Sequence, residues 1–191
     1  YYQTQKYLLN TNVLETTFYN SDASFKIIDF FPRYYDENKE IVKKNQLCRL
    51  VKVLYGKPKI RVNFDARLDY ARGKTKLSET EDYLVANKKE DTLYCKTNLD
   101  TKAINHQEII HLRNDSYFVV TFNEYDDTIT TSTIKNEMKA TLTYWREYLN
   151  EATMPKFYQK EVKRSILALK LLTYERTGAI IAAATTSIPE D

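Results

Sequence analysis

Two stretches, CRLVKVLYG (48 to 56) and KIRVNFDARLDYARG (59 to 73), alternate apolar and polar residues. Ile60, Val62 and Phe64 face one way, and Arg61, Asn63 and Asp65 face the other. Alternation at a period of two gives a strand one buried and one wetted face, so this chain must build a sheet with a core against it. The same reading extends to VLETTFYN (13 to 20) and SFKIIDFFP (24 to 32), parted by Asn20, Ser21 and Asp22 and stopped at Pro32. It extends further to YLVAN (83 to 87), TLYCKTN (92 to 98), EIIHLRN (108 to 114) and SYFVVTFNE (116 to 124). Many short strands at short intervals, with no helical pattern between them, predict an antiparallel sandwich. Glycine is scarce at three residues, so the turns fall to Asn, Asp and Ser, whose side chains satisfy backbone groups at tight bends.

The period then changes. Ile134, Met138, Leu142, Trp145 and Leu149 recur at three to four, which predicts an amphipathic helix through TIKNEMKATLTYWREYLN with Trp145 as a packing anchor. A Thr-Met-Pro break at 153 to 155 ends it. A second helix is expected over roughly 158 to 174, with Val162, Ile166, Leu169 and Leu172 on one stripe, Leu167 and Leu171 widening it, and Gly178 just beyond its end. So wide an apolar arc calls for neighbours on more than one side. The expected division is a β region over 1 to 127, a linker helix within 128 to 155, and a helix with an extended tail over 156 to 191.

The residue chemistry excludes several classes of function. A net charge of +3 with both signs interspersed offers no basic stripe to a nucleic-acid backbone. No apolar run approaches the roughly 18 residues of a membrane helix. Three glycines supply no phosphate loop. Cys48 and Cys95 lack a CxxC spacing and read as isolated, buried thiols; a disulfide would require their strands to lie side by side. His106 and His111 have only Glu108 near them, too little for a metal site, and no Ser or Cys motif for a nucleophile. Asp126 with Asp127, and Glu79 with Glu81 and Asp82, read as turn or solvated carboxylates. The abundant tyrosines and phenylalanines could stack on sugar rings, although at strand spacing they read first as core and cross-strand pairs.

The segment KRSILALKLLTYERTGAIIAAATTSIPED (163 to 191) resembles the family-15 glycoside hydrolases, the glucoamylase, glucodextranase and trehalase-like group. The matching residues are Arg164, Ser165, Leu169 to Tyr174, Thr177 to Ile180 and Thr185 to Glu190. TNVLETTF (11 to 18), IIDFFP (27 to 32), RLDYARG (67 to 73) and TYWREYL (143 to 149) resemble the family's amino-terminal domain and linker, in the family's order. Ala184 departs from it, standing where many members carry proline.

This resemblance implies an antiparallel super-sandwich, a linker helix and the first helix of an (α/α)6 barrel. It implies a parent enzyme that removes terminal α-linked glucose with inversion, through two glutamates downstream of residue 191. Thr185, Thr186, Ser187, Pro189 and Glu190 would lie at the rim of the substrate cleft. No catalytic residue, metal ligand or cofactor is expected in the chain itself, and its partners would be a disaccharide or oligosaccharide and the barrel, not nucleic acid or a membrane. The Tyr-Tyr start suggests that residues precede it, and the compartment is left open with the cytoplasm slightly favoured. The alternative is a free-standing, non-catalytic carbohydrate-binding or interaction module.

Overall fold

A computed structural model of the chain describes residues 1–174 and 177–182. It is mainly β. Eight strands form one fully antiparallel sheet: β1 (Tyr2–Tyr7), β2 (Leu14–Tyr19), β3 (Ala23–Phe30), β6 (Gln46–Gly56), β12 (Ser116–Phe122), β10 (Asp91–Thr97), β9 (Tyr83–Lys88) and β8 (Lys76–Glu79), in that spatial order. Two small ribbons accompany it, β4 (Arg33–Tyr35) with β5 (Ile41–Lys43), and β7 (Lys59–Ile60) with β11 (Ile110–His111). The helices are α1 (Thr101–Asn105), α2 (Thr131–Asn150) and α3 (Gln159–Leu171).

Register sorts the side chains into two cores. Ile28 pairs with Leu50, Phe30 with Cys48, Leu50 with Tyr117 and Cys48 with Val119. These residues share one face with Ile134, Tyr144, Trp145 and Leu149 of α2 and Leu167 of α3. The intervening residues Phe25, Val51, Phe118, Leu84 and Cys95 make the other face, covered by Ile104, Leu112 and the half-buried Ile60, Val62 and Phe64. The alternation of the sequence is thus spent on a sheet buried on both sides, helices on one and thin extended chain on the other.

Turn chemistry follows the scarcity of glycine. Asn20 Oδ1 accepts from the amides of Asp22 (2.9 Å) and Ala23 (2.8 Å), closing the β2–β3 hairpin. Asp36 Oδ1 does the same for Asn38 and Glu40 in the β4–β5 turn. Gly56 is one position where glycine is required. It holds φ +70°, and a Cβ there would overlap the carbonyl of Asp22. At the start of α2, Thr130 Oγ1 accepts from the amide of Thr133 (3.1 Å) and Thr133 Oγ1 accepts from that of Thr130 (2.8 Å), a reciprocal cap.

Three sequence expectations are corrected. The segment 59 to 73 is strand only at Lys59–Ile60; the rest runs extended over the sheet and ends in a left-handed turn, so Val62 and Phe64 are half-buried without a ladder. In the same way 108 to 114 is strand only at Ile110–His111. The β region also contains a helix, α1, capped by Asp100, whose carboxylate accepts from the amides of Lys102 and Ala103.

The two thiols lie on opposite faces and are free. Burial pushes both up to about 12 from 9.0, with the Glu137 carboxylate adding to the effect at Cys48. The unfolded chain releases these protons near pH 9 while the folded chain holds them to about 12, so stability is intact below 9 and falls as pH rises through that window. Burial acts on the Tyr83 hydroxyl in the same direction. Urea midpoints are therefore expected to drop steadily above about pH 9, and less steeply when both cysteines are replaced by alanine. A flat profile across the window would contradict the buried thiols.

Candidate functional site

The feature that ties the sheet to the carboxyl-terminal part of the chain begins in the turn between β1 and β2. Thr11 is fully buried there: its hydroxyl donates to the carbonyl of Leu8 (2.9 Å) and accepts from the amide of Val13 (3.1 Å), and Asn10 takes φ 60°. This locked turn aims Asn12 at α3. The Asn12 Nδ2 donates to the carbonyl of Leu167 (2.9 Å), and Arg164 donates both to the Asn12 Oδ1 and to the carbonyl of Thr11 (3.2 Å). The Arg164 guanidinium also lies 4.1 Å from the centre of the Tyr7 ring. One amide and one guanidinium therefore clamp segments more than 150 positions apart, while Leu167 enters the core beside them.

Much of α3 is left only partly covered. Leu169 and Leu171 are about half exposed (48% and 51%), and Leu167 is the buried residue of the helix. Beyond the helix the chain reverses: Thr173 bridges Ile180, the Tyr174 amide donates to Ala179 (2.7 Å) and the Ile181 amide to Leu172 (2.9 Å). Gly178 (φ +72°) serves this reversal rather than the helix end, its amide bonded to the carbonyl of Tyr174 (2.8 Å). Tyr174, Ile180 and Ile181 are also exposed. Thr185, Thr186, Ser187, Pro189 and Glu190, the residues expected at a cleft rim, lie outside the described residues.

Elsewhere the titratable candidates are engaged in the fold. Asp126 accepts from the amide and hydroxyl of Thr128 (2.9 and 2.6 Å), bonds that hold its carboxyl below the usual range. Glu79 accepts from Asn105, Asp82 lies 3.5 Å from the buried Lys96, and Lys96 donates to the carbonyl of Asp127 (2.8 Å). His106 caps the end of α1, and His111 sits in β11. Among the described residues no cluster of three or more His, Cys, Asp or Glu could hold a metal, and no helix is long and apolar enough to cross a membrane.

A cavity of about 390 Å³ lies between the sheet and the 60 to 64 segment, lined by Phe18, Phe25, Phe64, Phe118 and Cys95. Arg49 borders it and is committed to Asp29 through two bonds (2.7 and 3.0 Å). A lining so poor in free polar groups suits apolar packing and offers no acid and base pair.

Both halves of the clamp, Asn12 in TNVLETTF and Arg164 beside Ser165, are visible in the sequence, with no sign there that they meet. Their contact requires the register of β1 on β2 and the docking of α3 together.

The trehalase-like, N-terminal family model matches residues 1–99. A trehalase of Thermoplasma acidophilum is 26% identical over 198 residues, covering 99% of this chain and 33% of that protein. A trehalase of Thermoplasma volcanium is 24% identical, covering 99% of this chain and 31% of its own length. A trehalase of Mycobacterium tuberculosis is 29% identical over 157 residues, covering 75% of this chain and 23% of that protein. The chain thus spans about a third of the length of the Thermoplasma relatives or less. No solved structure matches it.

Proposed function

Because the chain belongs to the trehalase-like amino-terminal domain family, we propose that it is the supporting part of a longer trehalase-type glycoside hydrolase of the family-15 kind. In this reading residues 1–127 are the β domain, 128–155 the linker, and 156–191 the opening of an (α/α)6 catalytic barrel. The clamp of Asn12, Arg164 and Leu167 carries the proposal. It holds α3 by one face, while five large apolar residues, Leu169, Leu171, Tyr174, Ile180 and Ile181, stay about half exposed, available to the helices that would follow. A free-standing module would gain nothing from keeping those residues in water.

The chemistry then belongs to residues beyond 191. Inverting hydrolysis requires a general acid and a general base about 6.5–9.5 Å apart, with room for a water between base and sugar. Thr185 to Glu190 would approach the rim of that cleft. The names of the relatives favour trehalose over maltose or maltodextrin as substrate.

The chain by itself is expected to release no glucose from trehalose, maltose or maltodextrin in a coupled glucose assay. A polypeptide continuing into the barrel is expected to hydrolyse trehalose. Turnover by the 191-residue chain alone would overturn the assignment.

A further inference from the structure

The motif RLDYARG folds in an unusual way. Asp69, Tyr70 and Ala71 all take left-handed backbone angles (φ 55°, 52° and 59°). Each such residue costs about 1–2 kcal/mol against the right-handed form, and runs of them are rare. What holds the turn is a buried cation. The Lys88 ammonium, on a side chain only 12% exposed, donates to the carbonyl of Arg72, lies 3.4 and 3.5 Å from the carbonyls of Leu68 and Gly73, and is 3.6 Å from the Asp69 carboxylate. Lys89 secures Asp69 from outside (3.0 Å), and Thr75 Oγ1 accepts from the amide of the buried Leu68 (3.1 Å).

So much restraint serves a tip that the fold does not use. Tyr70 is 81% exposed, and among the described residues its hydroxyl makes no hydrogen bond. The Arg72 guanidinium stands 5.6 Å from the centre of its ring. We infer that Tyr70 and Arg72, fixed by the turn around Lys88, form a binding platform for a glucosyl unit. The flat ring receives the C–H face of the pyranose and the guanidinium donates to its hydroxyl oxygens. A rigid aromatic with a planar donor beside it spends little entropy in doing so.

The choice of sugar rests on the reading proposed above. Strand register puts the end of β9 and the start of β2 at the same end of the sheet, while Lys88, four residues along β9 from Leu84, grips the turn from the face opposite α3. Five strand steps of ~4.8 Å separate β2 from β9, roughly 24 Å.

The test is a titration of the ¹⁵N-labelled chain with trehalose, followed by amide shifts, with myo-inositol as a polyol control. Saturable shifts confined to residues 67 to 73 are expected with trehalose. Tyr70→Ala and Arg72→Ala should each weaken binding by about tenfold or more, while Tyr70→Phe stays within about twofold. Lys88→Met should weaken it with Tyr70 and Arg72 intact. Because Tyr70 is on the surface, Tyr70→Ala keeps the fold, and its spectrum away from the turn reports that directly.

Shifts that fail to saturate, that map to the Phe-lined cavity, or that Tyr70→Ala leaves unchanged would each overturn the platform. Glucose release by a longer polypeptide addresses the enzyme assignment separately, so either idea can fail while the other stands.

Discussion

Replacing Trp145 by alanine is expected to lower the unfolding free energy by about 3–5 kcal/mol, the usual range for emptying a buried aromatic site. Trp145 is 2% exposed and stands where three elements meet. Its ring lies 5.2 Å from Tyr144 and 6.4 Å from Tyr148, with the Arg33 guanidinium 5.8 Å from its centre. The rest of its cluster comes from the sheet (Ile28, Leu50, Val119) and from Leu167 of α3. Arg33 is held in place beside it, its Nε donating to Tyr144 Oη (2.8 Å) and its backbone amide to Thr141 Oγ1 (3.1 Å). For a chain of 191 residues each kcal/mol moves the midpoint by about 2–4 °C, so a thermal melt followed by circular dichroism should shift down by roughly 6–20 °C. Leu9→Ala, at an exposed position, should shift it hardly at all. A loss below about 1 kcal/mol for Trp145→Ala would mean that α2 does not pack on the sheet as described.

The second large effect is expected at the clamp. Arg164→Met removes a charged donor from two acceptors, the carbonyl of Thr11 and the Asn12 Oδ1, at a cost of about 1.5–3 kcal/mol for bonds to an ionised group. The loss should be local. Hydrogen exchange of the α3 amides is expected to speed up by about tenfold or more, with the amides of β3, β6 and β12 unchanged. Asn12→Ala should act on the same amides, since it removes the bond to Leu167 and one of the acceptors of Arg164. Because the two side chains bond each other, the double variant should cost less than the sum of the singles. Arg164→Lys should not rescue, because a single ammonium replaces a fork whose two ends reach different partners. Strictly additive effects would show that Asn12 and Arg164 act apart.

How much of this was legible depends on whether neighbouring residues or distant ones decide the structure. β2, β3, β6, β9, β10 and β12 announce themselves by alternation, because each buries at least one face against a core in the same molecule. α2 is equally plain, for Ile134, Trp145 and Leu149 repeat at the spacing that a single packed stripe demands. β1 gives no such signal: all six residues are exposed, and its order comes from the ladder to β2 rather than from burial. The five residues of α1 are too few to show a period, and only the Asp100 cap marks the helix. Beyond Ile60, in 61 to 73, the alternation is real and the ladder is absent, since half-burial of an extended segment leaves the same pattern as a strand. Of the candidate site, the residues of the clamp were visible and their meeting was not. The expected rim lies outside the described residues, so its reading rests on resemblance.

The place of β12 between β6 and β10 has a consequence for synthesis. A ribosome delivers β1, β2, β3 and β6 as one open sheet and β8, β9 and β10 as another before the strand that joins them exists. At about 5–20 residues per second, β6 waits several seconds with Val51 and Leu50 bordering a bare edge. Bare edges pair with whatever strand arrives. The charges of Arg49 and Lys52 along β6 are placed to act as gatekeepers for that interval, which ends when β12 becomes available to pair with β6.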